Sequence, residues 1–511
     1  MNVLKKNILA NFGGGVWIGL MGLIFVPLYI HFMGVEAYGL IGIYATLLAL
    51  FGLLDMGLSS TLNREMARLA VRDGNAQEMR DLVRTLEIPY WAVGLLISII
   101  VIMLSPAIAY RWVNVENLSP KTVQTAIVMM GLIMAFQWPL SFYSGGLMGL
   151  QRQVLLNGIN VVMATFRGLG AVLILWLVSP TVEAFFSWQI VVSIVHIGLI
   201  VFFFWRSLPY APEVPRFRSE LLLNIWRFAA GMTGIVVSST ILTQLDKIIL
   251  SRMLSLTMFG YYTLAGVVAM TLYRFVGPVF SATYPRLTNL VALGVTDDII
   301  SLYHKSAQLM SVLVLPAALV VALFSREILL LWTQSPITAE HTHVLVSILV
   351  TGTAIHGLVH IPYALQLAFG WTRLVFYVNL VSVLLLVPLI IVLTKWYGAV
   401  GAAIVWVILN VGYITFIIQI MHRRLLPAEK WRWYVEDVGR PLAAAVVVSM
   451  IGRCIIRSDW PPLLLLASLG VLSGTTLLAS GCAANHLDVV ARGRSFVARL
   501  RMRAISIEKP H

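Results

Sequence analysis

The stretch ILANFGGGVWIGLMGLIFVPLYIHFM, residues 8–33, decides the kind of fold, because it contains no Asp, Glu, Lys or Arg. A helix needs about 20 apolar residues to cross a hydrocarbon core of about 30 Å. Lys5 and Lys6 precede the stretch, which is too long for the apolar region of a signal peptide. We interpret it as a retained first membrane span.

The composition of the whole chain also indicates that most of it lies in lipid. Hydrophobic residues make up 59% of the 511 residues and charged residues 11%, and the mean hydropathy is +0.89. An average soluble domain carries about 25% charged residues, so this chain cannot cover a water-facing surface, and its hydrophobicity excludes disorder. Cys454 and Cys482 lie in apolar runs and predict neither a disulfide framework nor a metal site. We predict an all-α polytopic membrane protein.

Apolar segments of membrane-spanning length recur along the chain. A window of about 20 residues predicts about fourteen transmembrane helices. Their approximate ranges are 8–33, 38–62, 88–110, 123–149, 157–179, 184–205, 225–250, 257–284, 303–324, 344–370, 375–394, 399–421, 441–456 and 462–482.

The loop charges give these spans an orientation. With a cytoplasmic N-terminus, 26 of the 36 Lys and Arg residues fall in inward loops and seven in outward loops, as the positive-inside rule requires. The net charge of +14 therefore reflects topology, and we expect no nucleic-acid partner. Both termini are predicted to be cytoplasmic.

The loops also limit the chemistry. The longest predicted outward loop, 325–343, is too short for the external domain that enzymes acting on lipid-linked sugars generally use, and no GxxxxGK[ST] phosphate loop occurs. We expect neither enzymatic activity nor a cofactor.

The two halves of the chain show a weak repeat. At an offset of 221 residues, Val35 meets Leu256, and Tyr38-Gly39 meets Phe259-Gly260. Because segments one and seven both start inside, the repeat is parallel. We predict two six-helix lobes over 1–222 and 223–425, two further helices within 426–484, and a basic amphipathic cytoplasmic tail over 485–511.

Several motifs carry a family resemblance. The stretch GVEAYGLIGIYATLLALFGLLDMGLSSTLNREMA (Gly34–Ala67) resembles the opening of Wzx-type polysaccharide transport flippases, a branch of the MATE-like (MOP) transporter superfamily. QLDKIILSRMLSLTMFGYYTLA (Gln244–Ala265), FVGPVFSATYPRLTNL (Phe275–Leu290) and PYALQLAFGWTRL (Pro362–Leu374) are similar to later landmarks of that family. The resemblance spans about residues 5–425.

The resemblance implies two lobes around a central cavity that opens alternately to each side of a bacterial inner membrane. Its cargo would be an undecaprenyl-diphosphate-linked oligosaccharide repeat unit, moved to the periplasmic leaflet for O-antigen, capsule or exopolysaccharide synthesis. A hydrated glycan needs a polar path enclosed by protein. Candidate partners are this lipid-linked glycan, membrane lipid, a polysaccharide polymerase and a chain-length regulator.

Ionisable residues inside spans are the candidate site, because they are costly there and mark transport pathways. Arg167 lies in segment five and shares a helix face with Asn160. A guanidinium pairs phosphate oxygens bidentately, so Arg167 is a candidate for binding the substrate. Asn160 is a second candidate because it lies on the same polar face. The alternative for Arg167 is a structural pair with a carboxylate.

Four further charged residues are candidates. Arg274, near the inner face, binds substrate or snorkels to the interface. Asp246 and Lys247, near the outer end of segment seven, bind substrate or a coupling ion, or form an ion-pair network. Asp55 acts in gating or ion coupling, or pairs with Arg64 or Arg274.

His356 and His360 are candidates for ion coupling in segment ten. HGLVH lacks the glutamate of HExxH, so no metal site is predicted. The two rings are either a protonation switch or buried histidines bonded to their neighbours.

Other functions remain as alternatives. A MATE-type cation-coupled drug antiporter would need an acidic cavity, whereas the mid-span charges are mainly cationic. The sequence does not clearly distinguish a lipid II flippase from a flippase for polysaccharide repeat units. A polymerase or glycosyltransferase is disfavoured by the short outer loops, and a scaffold would not need buried arginines.

Overall fold

The computed structural model describes residues 3–55, 57–70, 75–220, 240 and 243–485. These residues form helices and short connections, with no strand among them beyond one isolated bridge between Asn114 and Ser255. The all-α class is therefore confirmed. The chain divides into two compact units, Met1–Thr263 and Leu264–His511.

The first unit includes the whole range of the predicted first lobe, 1–222, and extends past predicted segment seven into the start of segment eight. Its helices are α1 Val3–Ile24, α2 Val26–Gly52, α3 Leu58–Leu69, α4 Ala76–Ala107, α5 Pro120–Gln137, α6 Leu140–Gly149, α7 Gln153–Leu177, α8 Val182–Ser207, α9 over 243–253, and the first half of α10 Leu256–Met270.

The second unit continues from α10. Its helices are α11 Tyr273–Leu293, α12 Thr296–Leu323, α13 Ser325–Thr333, α14 Pro336–Ala368, α15 Thr372–Gly412, α16 Ile418–Leu425, the single turn α17 Lys430–Arg432, α18 Arg440–Ile455 and α19 Pro462–Ala483.

Ten helices in the described ranges are long and apolar enough to cross a bilayer, and the pair α10 and α11, bent by 40°, makes eleven. The membrane class is confirmed, while the number fourteen stays a prediction. Segment 225–250 is described only at 240 and from 243 onward. The predicted tail lies outside the described residues from 486 onward.

Two glycines interrupt long helices at places where the sequence predicted separate spans. Gly34, with φ 83°, interrupts α2 between predicted segments one and two. Gly398, with φ 58°, interrupts α15 between segments eleven and twelve. Glycine adopts these backbone angles without a Cβ penalty, so each helix contains a break where the hydropathy predicted a short loop.

A buried carboxylate fixes the loop after α4 in the first unit. Glu36 is 6% exposed, and its oxygens accept the backbone N–H groups of Glu116, Asn117 and Leu118 at 2.7, 2.8 and 3.2 Å. Hydrogen bonds of this kind satisfy a buried charge and hold the loop. The role of Glu36 is therefore structural.

Another buried carboxylate anchors the two C-terminal helices in the second unit. Glu327 of α13 accepts Arg453 Nη1 at 2.6 Å and Ser458 Oγ at 2.7 Å. Burial raises the pKa of Glu327, but the hydrogen bonds from Arg453 and Ser458 outweigh that effect and hold the pKa below its usual value. Beside this pair, α12 and α19 share an apolar cluster formed by Val320, Phe324, Ile456, Leu465, Leu469 and Leu472.

We expect Glu327→Gln to lower the free energy of unfolding at pH 7 by about 1–3 kcal/mol, because Arg453 loses a charged partner. A carboxyl with a depressed folded-state pKa stabilises above its unfolded pKa and loses that contribution as pH falls through the folded value. The difference from wild type should therefore shrink below pH 4.5, the ordinary pKa of the group. Thermal unfolding of purified protein across pH 3–7 measures it.

Glu340→Gln is the matched control, because Glu340 pairs with Arg326 at 3.0 Å but both side chains are at least half exposed. Exposed pairs contribute little. An equal loss in both variants, or a Glu327→Gln defect that stays constant at acid pH, would contradict the anchoring role.

Candidate functional site

Arg167, midway along α7, is held by amide oxygens. Its Nη1 donates to Gln189 Oε1 of α8 at 2.9 Å. With the Gln137 amide oriented so that its oxygen faces the guanidinium, that oxygen accepts from Nη1 and Nη2 at 2.6 and 2.7 Å. Amide orientation is assigned from such networks. Tyr44 and Tyr29 of α2 lie close to the guanidinium.

Asn160 extends this arrangement along the same pair of helices. It lies two turns before Arg167 on α7, and its Oδ1 is 3.1 Å from His196 Nε2 of α8. His196 Nδ1 is buried and has no hydrogen-bond partner in the described ranges. We call these residues the Arg167 cluster: Tyr44, Gln137, Asn160, Arg167, Gln189 and His196.

The charge balance of the Arg167 cluster is its main chemical feature. The contacts of the guanidinium are amides and hydroxyls, and no carboxylate forms an ion pair with Arg167 in the described part of the chain. The alternative role of Arg167, a structural ion pair with a carboxylate, therefore has no partner among those residues. A guanidinium carries five N–H donors, so this cation is oriented by neutral groups and keeps its charge for an anion.

Asp246 and Lys247 contact each other. Lys247 Nζ lies 3.5 Å from Asp246 Oδ1 and donates to the Thr243 carbonyl at 2.9 Å. Tyr262 donates its hydroxyl hydrogen to Asp246 Oδ2 at 2.8 Å. This geometry matches the ion-pair alternative, in which the two residues fasten α9 to α10.

Asp55 has hydroxyl partners in the first unit. It accepts Ser59 Oγ at 2.7 Å and the Tyr90 hydroxyl, and the Tyr90 oxygen lies 2.8 Å from Ser141 Oγ. Arg64, one of its two expected partners, lies instead 3.7 Å from Glu65. Asp55 therefore joins the end of α2 to α3, α4 and α6 through neutral groups.

The remaining candidates lie in the second unit. Arg274 is exposed at the start of α11, next to the 40° bend. His356 Nδ1 is 2.6 Å from the Tyr273 hydroxyl, and His360 Nδ1 is 3.0 Å from the His356 carbonyl. This is the geometry of bonded histidines. No group of three metal-ligating side chains occurs in the ranges described.

Sequence reasoning identified Arg167 and Asn160 but not Gln137, Gln189, His196 or Tyr44. The available signal was the presence of uncharged polar residues inside apolar helices. Such residues are frequent in spans, and only the packing of α2, α5, α7 and α8 shows which of them converge.

Comparison with known proteins places the chain in a functional context. The family described as "Polysaccharide biosynthesis protein" matches residues 4–291. A Shigella flexneri protein named "Putative O-antigen transporter" is 19% identical over 375 residues, which cover 73% of this chain and 87% of that protein.

Two solved structures share the fold. The lipid II flippase MurJ, in an inward closed conformation, has a TM-score of 0.67 at 12% identity and covers 92% of this chain and 97% of its own. An inward-facing multidrug resistance MATE family transporter of the MOP superfamily has a TM-score of 0.62 at 15% identity. The match covers 83% of this chain and 96% of that transporter. At these identities the likeness establishes the fold alone.

Proposed function

This chain belongs to the polysaccharide biosynthesis protein family, and we propose that it is a flippase for undecaprenyl-diphosphate-linked oligosaccharide repeat units. It carries them from the cytoplasmic to the periplasmic leaflet of a bacterial inner membrane, with both of its own termini in the cytoplasm. The family match, the MOP-type fold and the O-antigen transporter relative support this function. The resemblance to Wzx-type flippases is confirmed.

The single observation that carries the proposal is the charge of Arg167, which no carboxylate of the described residues compensates. A diphosphate is the part of the substrate least able to enter hydrocarbon, and a guanidinium binds phosphate oxygens bidentately. Gln137 and Gln189 keep the guanidinium oriented while its remaining N–H groups bind phosphate. Asn160 and His196, two turns along the same helices, provide polar contacts for the adjoining sugar.

The transport step follows from alternating access. When the two predicted lobes open inward, the diphosphate leaves water for the Arg167 cluster, which replaces part of its hydration. When they open outward, water competes again for the phosphates and releases them. Arg274, Asp246 and Lys247 remain candidate contacts along this route, and Asp55, His356 and His360 remain candidates for coupling it to an ion gradient.

The cation-coupled antiporter is the second candidate, and Asp55 is the observation that favours it. Its partners in the first unit are hydroxyl and N–H groups, so its negative charge suits a cation. The lipid II flippase is harder to separate, because its cargo also carries a diphosphate that fits Arg167. The family match to polysaccharide biosynthesis favours the repeat-unit flippase over both.

Depletion of the protein tests the proposal. We expect complete repeat units on undecaprenyl diphosphate to accumulate on the cytoplasmic leaflet, and surface polysaccharide to be lost. Leaflet-resolved labelling of the glycan, with lipid II followed in parallel, measures both. If complete units still reach the periplasmic leaflet, the protein acts after transport, and if lipid II accumulates instead, the cargo assignment is wrong.

A further inference from the structure

The first unit contains an apolar cavity whose lining includes none of the charged candidates named above. It has a volume of about 450 Å³ and lies between α2, the C-terminal end of α4 with the turn Ile108–Trp112, and α9. We call it the α2–α4–α9 slot. Its walls are mainly aliphatic, with Ile43, Leu47, Leu50, Leu104 and Ile248 among them.

The slot is elongated along the helices. Its lining on α4 and the following turn runs from Leu104 to Val113, which are separated by a rise of about 13.5 Å at 1.5 Å per residue. In the predicted topology Val113 marks the outer interface, so the slot extends from there into the hydrocarbon region. A sugar would lose its hydration against such walls without replacement hydrogen bonds, whereas a hydrocarbon chain would not.

A cation lies at the outer end of the slot. Arg111 lines it and is exposed, and it forms no ion pair with a carboxylate of the described residues. Beside it, Trp112 Nε1 donates to Ser251 Oγ at 3.0 Å and so bridges the α4 end to α9. An apolar channel with a guanidinium at its interfacial end complements a lipid chain with a phosphate head.

Helix α2 connects the slot to the Arg167 cluster. Ile43, Leu47 and Leu50 follow the i, i+4, i+7 spacing of one helix face and line the slot. Tyr44, the residue next to Ile43, points about 100° away and lies close to Arg167. A single helix therefore separates the phosphate site from the slot.

We propose that the α2–α4–α9 slot holds the phosphate-proximal isoprenoid units of the lipid carrier at the periplasmic stage of transport, with the carrier phosphate at Arg111. This assignment rests on the proposed function. Within it, Arg167 and Arg111 are successive phosphate sites, one inside the membrane and the other at the outer interface.

Lipid binding to the purified full-length protein tests the slot directly. The probes are undecaprenyl phosphate, undecaprenol, which lacks the phosphate, and phosphatidylglycerol as an acyl-chain competitor, each titrated with native mass spectrometry as the readout. Ala107→Trp fills the slot, and Met103→Trp is its control on the same helix, because Met103 is 75% exposed and lines no part of the slot. Arg111→Gln removes the cation, and Arg111→Lys restores it.

We expect Ala107→Trp and Arg111→Gln to weaken undecaprenyl phosphate binding at least tenfold, and Met103→Trp and Arg111→Lys to weaken it less than threefold. Undecaprenol should bind wild type as weakly as undecaprenyl phosphate binds Arg111→Gln. Equal binding by Ala107→Trp and Met103→Trp would overturn the proposal. So would equal displacement by phosphatidylglycerol, which would make the slot a site for bilayer lipid.

Different results would contradict the slot proposal and the flippase proposal. Arg167→Ala should lose export but still bind undecaprenyl phosphate in the slot. If slot variants lose lipid binding while cells export normally, the inference is wrong and the flippase stands. If depletion leaves the leaflet distribution of repeat units unchanged, the flippase is wrong whatever the slot binds.

Discussion

Replacing Arg167 with alanine is expected to abolish glycan export while the protein stays in the membrane at its normal amount. A hydrogen bond to a charged group contributes about 1.5–3 kcal/mol, and each 1.4 kcal/mol corresponds to about tenfold. The loss should therefore exceed about tenfold. Arg167→Lys keeps the charge but not the planar fork, so we expect it to retain part of the activity. Surface polysaccharide in a depleted strain carrying each variant measures the effect.

Arg152→Ala is the matched control, because Arg152 immediately precedes the same helix but is exposed at its N-terminal end. It should export like wild type. Full export by Arg167→Ala would contradict the phosphate-site assignment, and an equal defect in Arg152→Ala would indicate a general requirement for positive charge instead.

Gln137→Glu separates charge from shape at the same site. The new carboxylate would lie where the amide oxygen now accepts both Nη groups of Arg167, and it would neutralise the guanidinium while keeping it in place. We therefore expect Gln137→Glu to resemble Arg167→Ala in export. A purely structural Arg167 would tolerate this added ion pair.

Sequence patterns predicted the class and most span limits because hydropathy and loop charge report directly on the bilayer. The predicted limits of segment five, 157–179, agree with those of α7, Gln153–Leu177, to within four residues. Hydropathy also placed short loops at 34–37 and 395–398, where Gly34 and Gly398 interrupt α2 and α15, but it did not predict that helix continues directly on both sides of each glycine. Sequence patterns also missed the partners of Arg167, because convergence of four helices is a property of packing.

The repeat is the case in which weak sequence evidence matches a specific contact. A Cβ added to Gly39 would collide with the carbonyl oxygen of Leu256, and one added to Gly260 would collide with the carbonyl oxygen of Val35. Val35 and Leu256 are related by the 221-residue offset, and so are Gly39 and Gly260. The contact is thus reciprocal, as contacts across a two-fold axis are, and both glycines lie where two helices approach closely.

Gly39→Val and Gly260→Val are therefore expected to impair export to a similar degree. Each would force the start of α10 away from the segment of α2 that follows Gly34, and overpacking of this kind costs about 1–3 kcal/mol. Because 1.4 kcal/mol corresponds to about tenfold, export should fall roughly tenfold if closure of these outer ends is part of the transport cycle. Export rate and the thermal midpoint of each purified variant separate loss of closure from loss of folding.

Gly266→Val is the control on the same helix as Gly260, because a Cβ at Gly266 meets no atom within 4 Å. It should export normally. The double variant Gly39→Val with Gly260→Val is a stricter test than either single variant. Because both defects arise from one contact, they should not multiply in the double variant. Independent, multiplying defects, or a Gly39→Val protein as active as Gly266→Val, would show that the two glycines do not act as one interface.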